Sequence, residues 1–286
     1  MKYLTTCEKM KLVIERRLWV NRYTLILDKE RCKKCSLCSI VCPKEAIEVS
    51  KFKKMGNLKT IVSISINPEK CIFCGICVCI CPFSALKLLI NGKNRIPVVE
   101  SGSFPTLIKQ VQVNTAKCDP HCTKCRDVCP LKINISMLKR GALELCPCCG
   151  WCQEACPDNL IHVQKIFYGS AKINYEKCPE GCRDCLDTCP VNAIFLDDDN
   201  KKAHINNKVC IYCGACKNIC PVEGAIEINR TGVRVMPVKS GAWNTALEKL
   251  TSTKTFTKEL RAKGSTKIYQ QLQARFYGKK KGKSNQ

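Results

Sequence analysis

One local pattern recurs six times and leaves the rest of the chain little freedom. Four cysteines fall within eleven or twelve residues, and a proline always follows the last. In the form C-x2-C-x2-C-x3-C-P the sets are Cys32, Cys35, Cys38, Cys42; Cys71, Cys74, Cys77, Cys81; Cys146, Cys149, Cys152, Cys156; and Cys210, Cys213, Cys216, Cys220. Two further sets place three residues between the first two cysteines: Cys118, Cys122, Cys125, Cys129 and Cys178, Cys182, Cys185, Cys189. Repetition of this kind marks one structural unit used again and again. Thiols two and three residues apart bridge each other poorly, so disulfides are a weak account of the 27 cysteines. The opening "MKYLTTCEKM" has no apolar stretch of a secretory leader, and a reducing, cytoplasmic setting is expected. No run of eighteen apolar residues occurs, so no transmembrane segment is expected.

Four thiolates at this spacing, closed by Cys-Pro, are the ligand pattern of [4Fe-4S] clusters in bacterial two-cluster ferredoxins. Zinc sites instead pair two short CxxC knuckles across a longer loop. The C-x3-C-x2-C start at Cys118 and Cys178 also matches the triad of radical S-adenosylmethionine enzymes, which leave one iron open. Cys129 and Cys189 supply a fourth thiolate to each set and argue against that reading. Nothing else in the chain carries chemistry. His121, His162 and His204 are not paired at metal spacing. There is no glycine-rich phosphate loop and no nucleophile constellation, so no catalytic residue is assigned and the chain is not expected to be an enzyme.

The formal charge of +24 would by itself suggest nucleic acid. Six clusters, each carrying about −2 with its thiolates, bring it to about +12. The basicity is therefore read first as compensation for cluster charge and then as docking surface, with no nucleic-acid partner expected. Much of the remainder lies in Lys239–Gln286, with 12 Lys and Arg against Glu248 and Glu259.

The expected fold class is α+β: tandem bacterial-type two-[4Fe-4S] ferredoxin domains, three ferredoxin-like units, with a basic helical C-terminal arm. Alternating stretches such as "YTLILD" and "VSISIN" precede the loops, and "EAIEV", "NAIFL" and "GAIEI" follow Cys-Pro; both kinds read as strands. The boundaries drawn are an N-terminal arm over 1–22, ferredoxin domains over 23–92, 111–168 and 169–230, a connecting arm over 93–110 and a C-terminal arm over 231–286. In two-cluster ferredoxins the fourth cysteine of each loop ligates the other cluster. Sequential pairing then predicts six sets: Cys32, Cys35, Cys38 with Cys81; Cys71, Cys74, Cys77 with Cys42; Cys118, Cys122, Cys125 with Cys156; Cys146, Cys149, Cys152 with Cys129; Cys178, Cys182, Cys185 with Cys220; and Cys210, Cys213, Cys216 with Cys189. A nested order, with the fourth and fifth loops inserted between the third and sixth, stays open because "SMLKRGALELC" lacks a strand before Cys146.

Three cysteines remain. Cys79 and Cys148 align with non-ligand positions of other loops and read as buried small hydrophobes; Cys7 has no assignment. Two cysteine-free segments, "RIPVVESGSFPTLIKQV" and "RVMPVKSGAWNTALEKL", resemble each other and are expected to pack on the preceding unit. Trp243, Leu247 and Leu250 share one helix face, as do Ile268, Leu272 and Phe276.

The whole chain resembles archaeal polyferredoxins. "KCPEGCRDCLDTCPVNAI", "VCIYCGACKNICPVEGAIEI" and "SGAWNTALEKL" look most like the polyferredoxin subunit of formylmethanofuran dehydrogenase, the tungsten or molybdenum enzyme of methanogenesis. That resemblance implies six [4Fe-4S] clusters relaying low-potential electrons to the catalytic subunits that reduce carbon dioxide. The implied donors are a ferredoxin, a hydrogenase or a heterodisulfide reductase. Members of that family carry more than six clusters, so the chain would be a shortened form, and a polyferredoxin of a hydrogenase or heterodisulfide reductase complex remains the alternative. A radical enzyme and a cluster-stapled nucleic-acid-binding protein are the rivals from other classes.

Overall fold

The computed structural model describes residues 2–8, 10–53, 60–119, 121–133, 142–197 and 202–252. Strand pairing organises these residues into three segments, each built around two cysteine loops.

In the first segment β3 (Arg22–Asp28) enters the first loop and β6 (Leu86–Ile90) leaves the second. The two pair antiparallel, Tyr23 with Ile90 through Leu27 with Leu86. Between the loops β4 (Ile47–Lys53) and β5 (Thr60–Ile66) form a second antiparallel pair. A hairpin of β1 (Lys2–Glu8) and β2 (Lys11–Arg17) adds to β3, and the short β7 (Lys93–Asn94) adds to β6. The result is a five-stranded sheet in the order β1-β2-β3-β6-β7. The N-terminal residues thus extend the sheet of the first segment. The acceptor Glu15 ties the hairpin to its neighbour strand through Arg17 and Arg22.

In the second segment β8 (Gln110–Val113) pairs with β9 (Ile161–Gln164). In the third, β10 (Phe167–Ile173) pairs with β13 (Ile226–Val233), and β11 (Ile194–Leu196) with β12 (Ala203–Ile205). Each closing ladder joins the strand before one loop to the strand after the next. The long β10–β13 ladder slips by one residue between Tyr168 and Gly169. There a Cβ on Gly169 would stand 2.0 Å from the Asn229 carbonyl oxygen, so the close approach admits only glycine.

Short helices follow the second cysteine of each loop and contain the third: α1 (Leu37–Val41), α2 (Ile76–Cys79), α4 (Lys124–Asp127), α5 (Trp151–Glu154), α6 (Asp184–Thr188) and α7 (Ala215–Ile219). The two similar arms bind them together. In the first, α3 (Pro97–Glu100) returns onto the second loop, where Val98 N–H donates to the Cys74 carbonyl. The second arm meets the first: Leu107 bridges Val235, and Ile108 N–H donates to the Arg234 carbonyl. It then forms α8 (Gly241–Thr251), which packs on β13 and reaches α1 of the first segment. Trp243 of α8, 6 % exposed, meets Phe104 of the first arm edge-on with ring centres 5.3 Å apart. The expected packing on the preceding unit is therefore only part of what this arm does. Ile268, Leu272 and Phe276 lie outside the described residues. No helix among the described residues is long and apolar enough to cross a membrane.

Candidate metal centres

The loops owe their shape to left-handed backbone positions that repeat with the motif. The residue before the second cysteine is left-handed at Lys34, Phe73, Cys148 and Tyr212, and so is the residue after it at Ser36, Gly75, Gly150 and Gly214. A third such position follows Cys-Pro at Glu45, Ser84, Lys132, Asn159, Asn192 and Gly224. For side chains other than glycine this conformation costs roughly 1–2 kcal/mol each, so a compensating interaction is required. Backbone N–H groups turned onto sulfur supply it. Ala46 donates to Cys42 Sγ at 3.3 Å, Ala85 to Cys81 at 3.4 Å, Leu160 to Cys156 at 3.4 Å and Ala193 to Cys189 at 3.2 Å. Cys148 and Tyr212 donate to Cys146 and Cys210 at 3.4 Å. Such bonds hold sulfur in its ligating form and tune a cluster's potential.

Three cavities show which thiols converge. One of about 410 Å³ is lined by Cys71, Cys74 and Cys77 together with Cys42 of the preceding loop. One of about 350 Å³ is lined by Cys32, Cys35, Cys38 and Cys81. One of about 310 Å³ is lined by Cys178, Cys182, Cys185 and Cys220. In each, thiols from two loops line one shared space and do not aim at a point. In keeping with that, no three ligating side chains among the described residues are placed to hold a single metal ion. A cubane of iron and sulfide fits such a donor set.

Electrostatics extends the grouping. Burial pushes the Cys38, Cys152, Cys185 and Cys213 thiols up to about 12 and Cys149 to about 11, because a thiolate loses its water there. Neighbouring sulfurs raise them further, and those neighbours cross between loops: Cys81 acts on Cys38, Cys129 on Cys149 and Cys152, Cys220 on Cys185, and Cys189 on Cys213. In the third loop Cys118 and Cys122 act on Cys125, and Cys156 stands on the next loop. Without metal these thiols stay protonated and neutral; iron bound there would take the place of the protons and supply the positive charge that the buried thiolates lack, so metal uptake would couple to folding. Cys79 and Cys148 are buried, whereas Cys7 is exposed and accepts from Lys29 Nζ at 2.8 Å.

Three cations among the thiols, Arg230 buried and Lys109 and Lys165 half-buried, were not singled out from the sequence. Arg230 is 9 % exposed and donates to the carbonyls of Tyr212 at 2.7 Å, Cys213 at 2.9 Å and Leu250 at 3.4 Å. Lys109 Nζ donates to Pro82 O at 2.8 Å and to Glu144 O. Lys165 Nζ donates to Asn207 O at 2.7 Å and Cys210 O at 3.1 Å. Burial pulls all three below their usual pKa, and nearby cysteines oppose that pull. Strand alternation is the signal that could have found them. Ile226, Ile228 and Arg230 share one face of β13; Lys109 continues the face of Val111 and Val113, and Lys165 that of Ile161 and Val163.

The chain matches the 4Fe-4S dicluster domain family over residues 31–85 and 177–224, which lie in the first and third segments. It is 31% identical over 122 residues to the ferredoxin-type protein NapF of Escherichia coli, covering 36% of this chain and 73% of that one. A polyferredoxin-like subunit of aliphatic sulfonate oxidoreductase from Pyrococcus furiosus is 36% identical over 63 residues, 21% of this chain and 35% of that protein. Among solved structures, a chain of the formate dehydrogenase–heterodisulfide reductase–formylmethanofuran dehydrogenase complex of Methanospirillum hungatei superposes with a TM-score of 0.75 at 33% identity, over 88% of this chain and 92% of that chain. With its thiol-lined cavities and these likenesses, the chain belongs to the ferredoxin-type 4Fe-4S proteins and is a polyferredoxin-like, iron–sulfur electron-transfer protein.

Proposed function

We propose that the chain is a six-cluster polyferredoxin subunit, built as three ferredoxin units, that delivers low-potential electrons to a carbon-dioxide-reducing formylmethanofuran dehydrogenase. The observation that carries this reading is the likeness over 88% of the chain to one chain of a complex containing that enzyme. The cross-loop grouping of thiols supports five of the six ligand sets, and the repeat of the motif extends the rule to the third: on this reading each loop gives three cysteines to one cluster and its Cys-Pro cysteine to the partner cluster. When bound, [4Fe-4S] clusters supply one-electron storage at low potential. The protein's own work is then to hold four thiolates per cluster, to point N–H groups at sulfur and to keep water away. No residue acts on a carbon substrate. The partners are the catalytic subunits and a donor of the ferredoxin, hydrogenase or heterodisulfide reductase class. The setting is the cytoplasm, and residues beyond α8 serve as a basic docking arm. A polyferredoxin serving a heterodisulfide reductase is the second reading, because the similar chain comes from a complex that also holds that enzyme.

Anoxic purification under native conditions tests both. The expected result is about 24 iron and 24 sulfide per chain, from four of each per cluster, with the catalytic subunits of formylmethanofuran dehydrogenase attached. Stoichiometric zinc, or iron near half that value, would overturn the cluster count. Attachment to heterodisulfide reductase alone would favour the second reading.

A further inference from the structure

The three cations occupy related places. Lys109 bonds the carbonyl next to Cys81 and that of Glu144, two residues before Cys146. It acts on Cys81 of the first ligand set and Cys146 of the fourth. Lys165 bonds the Cys210 carbonyl of the sixth set and directly follows β9, whose Val163 N–H is held by Gln153 beside Cys152 of the fourth. Arg230 bonds the Cys213 carbonyl of the sixth set. Across from it, a methyl on Gly214 would touch both Arg230 Nη2 at 3.1 Å and the Cys35 carbonyl of the first set at 3.3 Å. Each cation therefore spans two sets from different segments, and together they close a ring: first to fourth, fourth to sixth, sixth to first. Cys149 and Cys213 are buried in one shared apolar cluster with Phe83, Val191 and Ile211, and Cys35, Cys81, Cys189 and Cys210 pack against it.

None of the three is within ion-pair distance of a carboxylate among the described residues, although Glu144 and Glu154 act on the two lysines from further away. A charge taken out of water without a close partner is costly, fully so for the buried Arg230 and in part for the half-buried Lys109 and Lys165. Negative cluster charge is the compensation at hand, and the compensation is mutual, because a nearby cation favours an added electron. Arg16, near Cys71, and Lys51, on the Cys220 carbonyl, each stand beside one outer set and bridge none of the inner three.

We propose that Lys109, Lys165 and Arg230 join the inner cluster of each segment into a three-way electron junction, each residue raising the potential of the two clusters it spans. The second, third and fifth sets are then the three outer ends through which electrons enter or leave. This rests on the six-cluster reading above.

The test is an equilibrium redox titration of the full-length, anoxically purified protein, followed by electron paramagnetic resonance. Lys109→Met, Lys165→Met and Arg230→Gln should each move the titration of about two of six electrons to lower potential. The shift should be at least tenfold in the reduced-to-oxidised ratio at fixed potential, or 59 mV for a one-electron couple. Arg230→Lys should stay near the parent curve because the charge remains, and the exposed Lys172→Met should not shift it. Titrations of the three variants that overlay the parent, or a uniform shift of all six electrons, would overturn the proposal. So would loss of iron in all three, which would make them structural ties. A parent protein that takes up far fewer than six electrons would instead refute the cluster count, and so the two failures are distinguishable.

Discussion

Replacing Trp243 by alanine should unlatch α8 from the first segment without disturbing the cysteine loops. Trp243 is 6 % exposed, and its ring stands edge-on to Phe104, itself 1 % exposed, at 5.3 Å. Removing a buried Trp or Phe side chain costs about 3–5 kcal/mol, most of it lost transfer energy and the cavity left behind. The whole of that cost should fall on the docking of α8, because Ala246 and Leu250 share its buried face and no cysteine lies on it. Since about 1.4 kcal/mol is a factor of ten, amide exchange through local opening of α8 should speed up by roughly two to three and a half orders of magnitude. Hydrogen exchange with mass spectrometry on the iron-loaded protein reads this directly. Peptides from Gly241–Thr251 should lose protection, and those from β4 and β5 should keep it. Trp19→Ala, at a fully exposed side chain in the β2–β3 turn, should change nothing. Unchanged protection of α8 in Trp243→Ala would refute the latch. Equal loss everywhere would show that α8 is inseparable from the global fold.

Exchange of fourth ligands predicts a displaced lesion. Cys42→Ala should damage the cluster held by Cys71, Cys74 and Cys77, leaving three irons and an oxidised paramagnetic signal there; six intact clusters would show that Cys42 is no ligand. S-adenosylmethionine added to the reduced protein should produce no 5′-deoxyadenosine and no new spin signal, because on the proposed ligand sets Cys156 and Cys220 close the two triads that begin at Cys118 and Cys178, and Cys129 and Cys189 close their partners. Removing residues 253–286 should leave iron content unchanged and weaken binding to the catalytic partner, with a salt dependence if the contact is mainly electrostatic; full co-purification of the truncated chain would show that this stretch is not the anchor.

The cysteine loops were legible because ligand spacing is a local property. Six repeats of one spacing point to one loop geometry, and the lead-in strands announce themselves by alternation. The N-terminal hairpin was harder to place. Ile14 and Glu15 are neighbours and both are buried, so β2 lacks the clean inside–outside rhythm of a strand with one solvent face. The helical face of Trp243, Leu247 and Leu250 was readable, yet its destination was not. Contact with α1, far away in sequence, is decided by tertiary packing and leaves no local trace. The three cations escaped for another reason. A Lys or Arg at an aliphatic position of a strand reads as a solvated charge until the neighbouring loops bring sulfur to it. The left-handed Phe73, Cys148 and Tyr212 are likewise unexpected from propensity, and make sense only once their N–H groups are seen to serve a thiolate.

The contact between α8 and α1 also bears on the order of events during synthesis. The surface of α1 is complete about 200 residues before the helix that covers it leaves the ribosome, a separation that makes this one of the slowest contacts to close. During that interval the first loop is exposed on the side that α8 later seals. Iron and sulfide delivered to the growing chain therefore meet an open first segment, whereas delivery to the finished chain must work against a latch of buried Trp243 and Leu250. Maturation of this protein should accordingly be more efficient when cluster insertion accompanies translation than when it follows.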